Sequence, residues 1–248
     1  MVILLGEERR ARLLEILSRD GALRLDPVAE QLGVSVMTVR RDLDDLEAEG
    51  LARRVRGGAV APVLPRPFGE RMSTRSAAKS AIARKALELV PPTGAVAFDA
   101  SSTSGMLLGE VTARDLVVAT NSIQNAATAR RRPGVRGILI GGELEERTDS
   151  FVGAVACRAA ASLGYSRFFT SASAVSAAGT SEVSLEEVQV KEVFASRAEQ
   201  TILLADGSKL GRQAIAHAFD WRFIDVLVTD LDPGDERLDQ YRELTELR

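Results

Sequence analysis

The sequence predicts a two-part chain: a small, mostly helical module closed by a hairpin, then a larger α/β domain on a mostly parallel sheet. Three observations predict it. Short amphipathic segments punctuated by Gly21, Gly33 and Gly50 fill the first 60 residues. The proline-rich run Ala61, Pro62, Val63, Leu64, Pro65, Arg66, Pro67 follows, stiff enough to act as a spacer. Beyond it, apolar runs alternate with helical stretches, the rhythm of a parallel sheet covered on both faces. A length of 248 residues with 45% hydrophobic side chains suits one small and one medium domain, with expected bounds 1–60, 61–67 and 68–248.

Composition removes several function classes. Cys157 is the only cysteine and His217 the only histidine, so neither a disulfide framework nor a Cys/His metal cluster is expected. Cys157 reads as an inert packed thiol. Met1–Leu5 is apolar but lacks a basic flank and is too short for a signal core, and no run approaches a membrane span, which predicts a cytoplasmic location. No cofactor, metal or catalytic set is expected. The net charge of -3 argues against a nonspecific polycation, and the first 60 residues hold ten Arg against eleven Asp and Glu. Any nucleic-acid contact must therefore come from a local patch.

In the first module, Leu13, Leu14, Ile16 and Leu17 predict an amphipathic helix over Glu7–Ser18, stopped at Asp20 and Gly21. A short second helix is expected with Asp26 as cap, Pro27 in its first position and Val28, Ala29 and Leu32 inward, before a turn at Gly33. Ser35 can cap a third helix whose stripe is Val36, Val39, Leu43 and Leu46. Met37, Arg41 and Asp44 then point away from the stripe, with Thr38 and Arg40 on its flanks. Asp44, Asp45, Glu47 and Glu49 crowd the end where the dipole prefers cations. Pairs Arg40 with Asp44 and Arg41 with Asp45 would offset this by about 0.2–0.5 kcal/mol each. Gly50 ends the helix, and Leu51–Ala61 reads as a hairpin carrying Arg53, Arg54 and Arg56. Together these elements predict a winged helix-turn-helix, with Ser35, Met37, Thr38, Arg40 and Arg41 facing double-stranded DNA and the hairpin arginines on phosphates.

In the second part, a helix over Lys79–Val90 stops at Pro91 and Pro92. Strands are expected at Ala95–Phe98, Leu116–Ala119, Gly137–Ile140, Arg167–Thr170, Thr201–Ala205 and Val226–Thr229. Polar groups collect at their carboxyl ends, where open α/β sheets hold ligands. These are Asp99, Ser101, Ser102 and Thr103; Asn121; Gly141 and Gly142; and Lys209 after Asp206. Each alone fits a helix cap, a turn or a solvated lysine, and it is their recurrence at one edge that points to an anion site. Glu187 and Lys191 sit four apart on a helix, either as a surface pair or as contacts to a sugar hydroxyl. His217 reads as a packing residue or the maker of one hydrogen bond, Trp221 as core filling, and Arg130, Arg131 and Arg132 as a solvated helix end.

Arg9, Leu13, Leu17 and then Ser35, Thr38, Val39, Arg40, Arg41, Asp42, Leu43, with Arg56, Gly57, Gly58, Ala59 in the hairpin, resemble the amino-terminal signature of the DeoR family of bacterial repressors. From about Phe68 to Asp230 the chain resembles that family's sugar-phosphate sensor domain, related in fold to ribose-5-phosphate isomerase. The matches are Asp99–Thr103, Thr120–Ser122, Gly141–Leu144, Glu186–Lys191 and Asp206–Gly211. Ser101 and Ser102 stand where the family usually has Gly and Thr, and Ser171–Val175 replaces a more glycine-containing loop. The resemblance implies a repressor of carbohydrate genes that is not an enzyme, with a phosphorylated sugar as effector. One short helix reads too few base pairs for genomic specificity, which predicts a homo-oligomer, dimer or tetramer, on a repeated operator. The competing reading is an isomerase-like enzyme with a DNA-binding appendage, for which Glu187 and Lys191 are the only acid–base pair.

Overall fold

A computed structural model of the chain describes residues 6–48, 51–60 and 66–248. The chain divides into two compact units, Met1–Leu64 and Pro65–Arg248. The expected linker spans this division, and its residues 61–65 lie outside those described, as do Gly50 and Met1–Leu5.

The first unit runs α1 (Gly6–Asp20), β1 (Ala22–Arg24), α2 (Leu25–Leu32), α3 (Val36–Ala48), β2 (Arg53–Val55) and β3 (Gly58–Val60). Gly21 and Gly33 take positive φ, 76° and 66°, and so end α1 and α2 at little steric cost. Leu13, Leu17, Val39, Leu43, Leu46 and Ala59 are buried in one core. Two expectations change. Helix α2 begins at Leu25 after Arg24, so Asp26 lies in the first turn, favourable to the helix dipole, and does not cap. The hairpin β2–β3 gains a third strand, β1, in the order β1-β3-β2. Its three residues are too few for a visible alternation, and its partner lies far along the chain.

The second unit opens with α4 (Phe68–Ser73) and α5 (Ser76–Ala86), three residues earlier than expected and followed by a 3-10 turn at Leu87–Leu89. Then come β4 (Thr93–Phe98), α6 (Ser102–Glu110), β5 (Asp115–Thr120), α7 (Ile123–Ala129), β6 (Val135–Leu139), β7 (Glu143–Glu145) and β8 (Ser150–Val152). After these follow α8 (Gly153–Ala161), β9 (Tyr165–Thr170), β10 (Ala174–Ser176), β11 (Gly179–Glu182), α9 (Leu185–Ser196), β12 (Ala198–Leu204), β13 (Ala216–Phe219), β14 (Val226–Val228) and β15 (Glu246–Leu247). Seven strands form one sheet in the order β15-β14-β12-β9-β4-β5-β6. Every pairing in it is parallel.

Strand alternation builds a core on each face. Ala97, Phe168, Leu203 and Leu227 enter one core with α8 and α9, while Val96, Phe98, Phe169, Ile202 and Leu204 enter the other with α5 and α6. Phe98 and Phe169 stack at 4.9 Å between centroids across β4 and β9. Trp221 lies in the first of these cores, as expected, against Tyr241. The short hairpins β7–β8 and β10–β11 and the strand β13 were not visible as strands in the sequence. From β4 the chain winds outward through β5 and β6 on one side and through β9, β12 and β14 on the other. The carboxyl ends of β4 and β9 therefore flank the switch point where such sheets open a crevice.

Candidate functional site

In the first unit, Ser35 caps α3: its Oγ accepts the Thr38 amide at 3.1 Å and hydrogen-bonds Thr38 Oγ1 at 2.8 Å. Met37 is 68% exposed although it is apolar. The acids of α3 are not satisfied by Arg40 and Arg41. Buried Asp42 takes Arg9 of α1 bidentately at 2.5 and 2.8 Å, Asp45 pairs with Arg10 at 3.2 Å, and Asp44 pairs with Arg54 of β2. Arginines from other elements reach these acids more directly than a neighbour one turn back. Arg40 and Arg41 are thus exposed with no side-chain partner among the described residues. Arg53 and Arg56 are also exposed. Arg54 differs, because its guanidinium reaches the Arg40 carbonyl at 3.3 Å as well as Asp44, and its amide donates to Glu47 at 2.6 Å. It fastens the hairpin to α3.

In the second unit the centre is Asp99, fully buried at the end of β4. Oδ1 accepts the Ser101 amide at 3.0 Å and Ser104 Oγ at 2.7 Å. Oδ2 accepts Thr170 Oγ1 at 2.9 Å and the Ser171 amide at 2.8 Å, and faces Lys191 Nζ at 3.1 Å. Burial alone would raise this carboxyl; the Lys191 ammonium and the donors from Ser101, Ser171 and Ser104 overcome it and hold it at about 2. Asp99 so locks the loops after β4 and β9 together. Ser101 is the N-cap of α6, accepting the Ser104 amide at 3.1 Å. The hydroxyls of Ser102 and Thr103, in the first turn, have no protein partner among the described residues. Lys209 reaches in from the loop after β12 and donates to Ser171 Oγ at 2.8 Å. Burial lowers its ammonium below the ordinary lysine value against the pull of Asp206.

Glu187 and Lys191 are both buried, which excludes the surface-pair reading. Lys191 Nζ binds Asp99, Glu182 and the Ser171 carbonyl, and makes no hydrogen bond to Glu187. Burial and the nearby Glu182 and Asp99 push the Glu187 carboxyl up, against the pull of Lys191. Glu187 Oε1 accepts Ser150 Oγ at 2.5 Å and Thr148 Oγ1 at 3.3 Å. Asn121 donates to the Phe151 carbonyl at 3.0 Å. Gly142 has a packing reason: a Cβ there would stand 2.6 Å from the Val152 carbonyl, whereas one at Gly141 meets nothing. Of the two roles expected of it, packing and one hydrogen bond, His217 takes the second: it is exposed and hydrogen-bonds Asp220 at 3.1 Å.

Three residues of the crevice were missed. Glu182 is brought in by β11. Arg71 of α4 donates to the carbonyls of Arg66, Ala100 and Thr148 at 2.9, 3.1 and 3.4 Å. Lys79 of α5 donates to the carbonyls of Arg71, at 2.6 Å, and Thr74. Burial and then Lys209 hold its ammonium down to about 8. None carries a local signal: Arg71 and Lys79 read as solvated basic residues on helices, and Glu182 ends a four-residue strand. Among the described residues there is no group of His, Cys, Asp and Glu able to hold a metal, and no helix long and apolar enough to cross a membrane.

Comparison with known proteins agrees with this division. The DeoR-like helix-turn-helix domain matches residues 9–63, and the DeoR C terminal sensor domain matches residues 74–231. A lactose phosphotransferase system repressor of Streptococcus mutans is 29% identical over 96% of this chain and 98% of its own length. The transcriptional repressor GlcR of Bacillus subtilis is 31% identical over 92% of this chain and 90% of its own. These relatives are named as repressors, not as enzymes. Likeness to ribose 5-phosphate isomerase A from Neisseria gonorrhoeae is slight, with 18% identity over 53% of this chain and 52% of that one at a TM-score of 0.36. With both its units matched in order, the chain belongs to the DeoR family of DNA-binding transcriptional regulators.

Proposed function

We propose that the chain represses a carbohydrate-metabolism operon, with a phosphorylated sugar as its effector. The observation that carries the effector reading is the set of open donors at the switch-point crevice. The Ser102 and Thr103 hydroxyls and the first amides of α6 surround a helix N-terminus, and Lys209 approaches from a second loop. Lys79 and Lys209 repel one another there, a cost that a bound dianion would relieve. The names of the relatives, a lactose phosphotransferase system repressor among them, supply the carbohydrate setting. For DNA, the reading rests on Met37, Arg40 and Arg41, exposed at the amino-terminal half of α3 with Ser35 and Thr38 beside them. Arg53 and Arg56 lie on the hairpin where phosphate contacts fall, and a homo-oligomer presents two such helices to a repeated operator.

The test is operator binding by the full chain, followed by fluorescence anisotropy, with a panel of sugar phosphates. One of them should change operator affinity, and Lys209→Ala should weaken that compound by about 10- to 150-fold, the loss of a charge-assisted contact of roughly 1.5–3 kcal/mol. Operator affinity without the compound should stay near wild type. Full effector affinity in Lys209→Ala would place the anion elsewhere.

A further inference from the structure

We propose that the crevice is polarised along its ligand, and that the end away from the phosphate selects a hydrogen-bond donor, a sugar hydroxyl or amine, over a carboxylate, through Glu187 Oε2 and Asn121 Oδ1. This deepens the phosphate reading above and rests on it.

Two buried acceptors are open at that end. Glu187 Oε2 and Asn121 Oδ1 have no partner, while their residues are 7% and 1% exposed. The amide of Asn121 cannot be turned around to remove the second, because Nδ2 faces the Phe151 carbonyl, which only accepts. Both residues flank the start of β8: Glu187 through Ser150 and Asn121 through Phe151. Asn125 Oδ1, also unpartnered, is different, since it lies where a Cβ on Gly105 of α6 would fall and so belongs to helix packing.

The ammonium at that end is already committed. The three protons of Lys191 are matched by three acceptors, Asp99, Glu182 and the Ser171 carbonyl. Arg71 gives three of its five N–H groups to carbonyls. Asp99, Glu182 and Glu187 thus place three carboxyl groups around one buried ammonium. A ligand carboxylate would meet two bare acceptors and the like charge of Asp99 and Glu182. A hydroxyl or ammonium would satisfy atoms that are costly to leave bare. The opposite pattern holds at α6, where donors are open and Lys209 has bonded only Ser171 among the described residues.

Calorimetry on the full chain with matched probes tests this. The probes are ribose 5-phosphate against 5-phosphoribonate, and glucose 6-phosphate or glucosamine 6-phosphate against 6-phosphogluconate. In the pair that fits the crevice, the sugar or amino sugar should bind at least about 10-fold more tightly than the acid. Glu187→Gln places an amide donor at the Oε2 position and should bring that ratio towards one or reverse it. Asn121→Ser, which shortens the second acceptor, should narrow the ratio independently should Glu187→Gln fold poorly. An acid that binds wild type as tightly as its sugar overturns the proposal and leaves the phosphate reading intact, and so does an unchanged ratio in both variants. If neither inorganic phosphate nor any probe binds, the phosphate reading falls and takes this one with it.

Discussion

Arg40 and Arg41 are exposed because the acids of α3 are neutralised from elsewhere, by Arg9, Arg10 and Arg54. Arg41→Ala should weaken operator binding by about 1–3 kcal/mol and relax preference at one base pair, whereas Arg56→Ala should weaken all sequences alike and lower the salt slope. An Arg41→Ala loss equal on operator and random DNA would make Arg41 a phosphate contact. Asp99 gives a different prediction. Its folded carboxyl lies at about 2 against an ordinary 3.8, so its stabilising contribution is complete above pH 4 and is lost as the pH falls towards 2. Asp99→Asn should cost about 3–5 kcal/mol in urea unfolding, by breaking a buried ion pair, and should flatten that acid branch. Lys79 is poised at about 8, so an anion nearby should draw protons onto it. Effector binding should then take up protons and weaken as the pH rises above about 8. Calorimetry in buffers of different ionisation enthalpy measures this, and Lys79→Gln should remove much of the uptake.

Among elements, helix α3 and the six expected strands were legible because each has a period: Val36, Val39, Leu43 and Leu46 for the helix, short apolar runs for the strands. The Asp99 loop was legible because capping residues follow a strand. What could not be seen shares one cause. Strand β1, Glu182, Arg71 and Lys79 owe their roles to partners brought in by the fold, and nothing within a few residues of them reports it. The acids of α3 show the same limit, since a neighbour four residues away was available and a more distant arginine took its place. Helix α4 draws a prediction from this. It begins directly after the stretch joining the two units, and Arg71 pins it to the Ala100 carbonyl, one residue before the α6 cap. Arg71→Gln should therefore keep effector affinity within a few-fold while reducing the effector's influence on operator binding. Equal coupling in wild type and variant, by anisotropy with and without effector, would rule α4 out as the relay. Gly142→Ala should lower the melting temperature, with Gly141→Ala near neutral, since only the first Cβ meets the Val152 carbonyl.

For the whole molecule, one recognition helix per chain predicts that the active species on DNA carries at least two chains and that the operator repeats about one helical turn apart. Sedimentation of the complex measures the first and footprinting the second. The balance of ten arginines against eleven acids in the first 60 residues has a further result. Arg9, Arg10, Arg12 and Arg54 are already tied to carboxylates, so few counterions should be displaced from random DNA and its hold on the protein should be weak. Copies of the regulator should then spend little time trapped on the vast excess of irrelevant sites, and a modest number of molecules per cell should be enough to keep one promoter occupied.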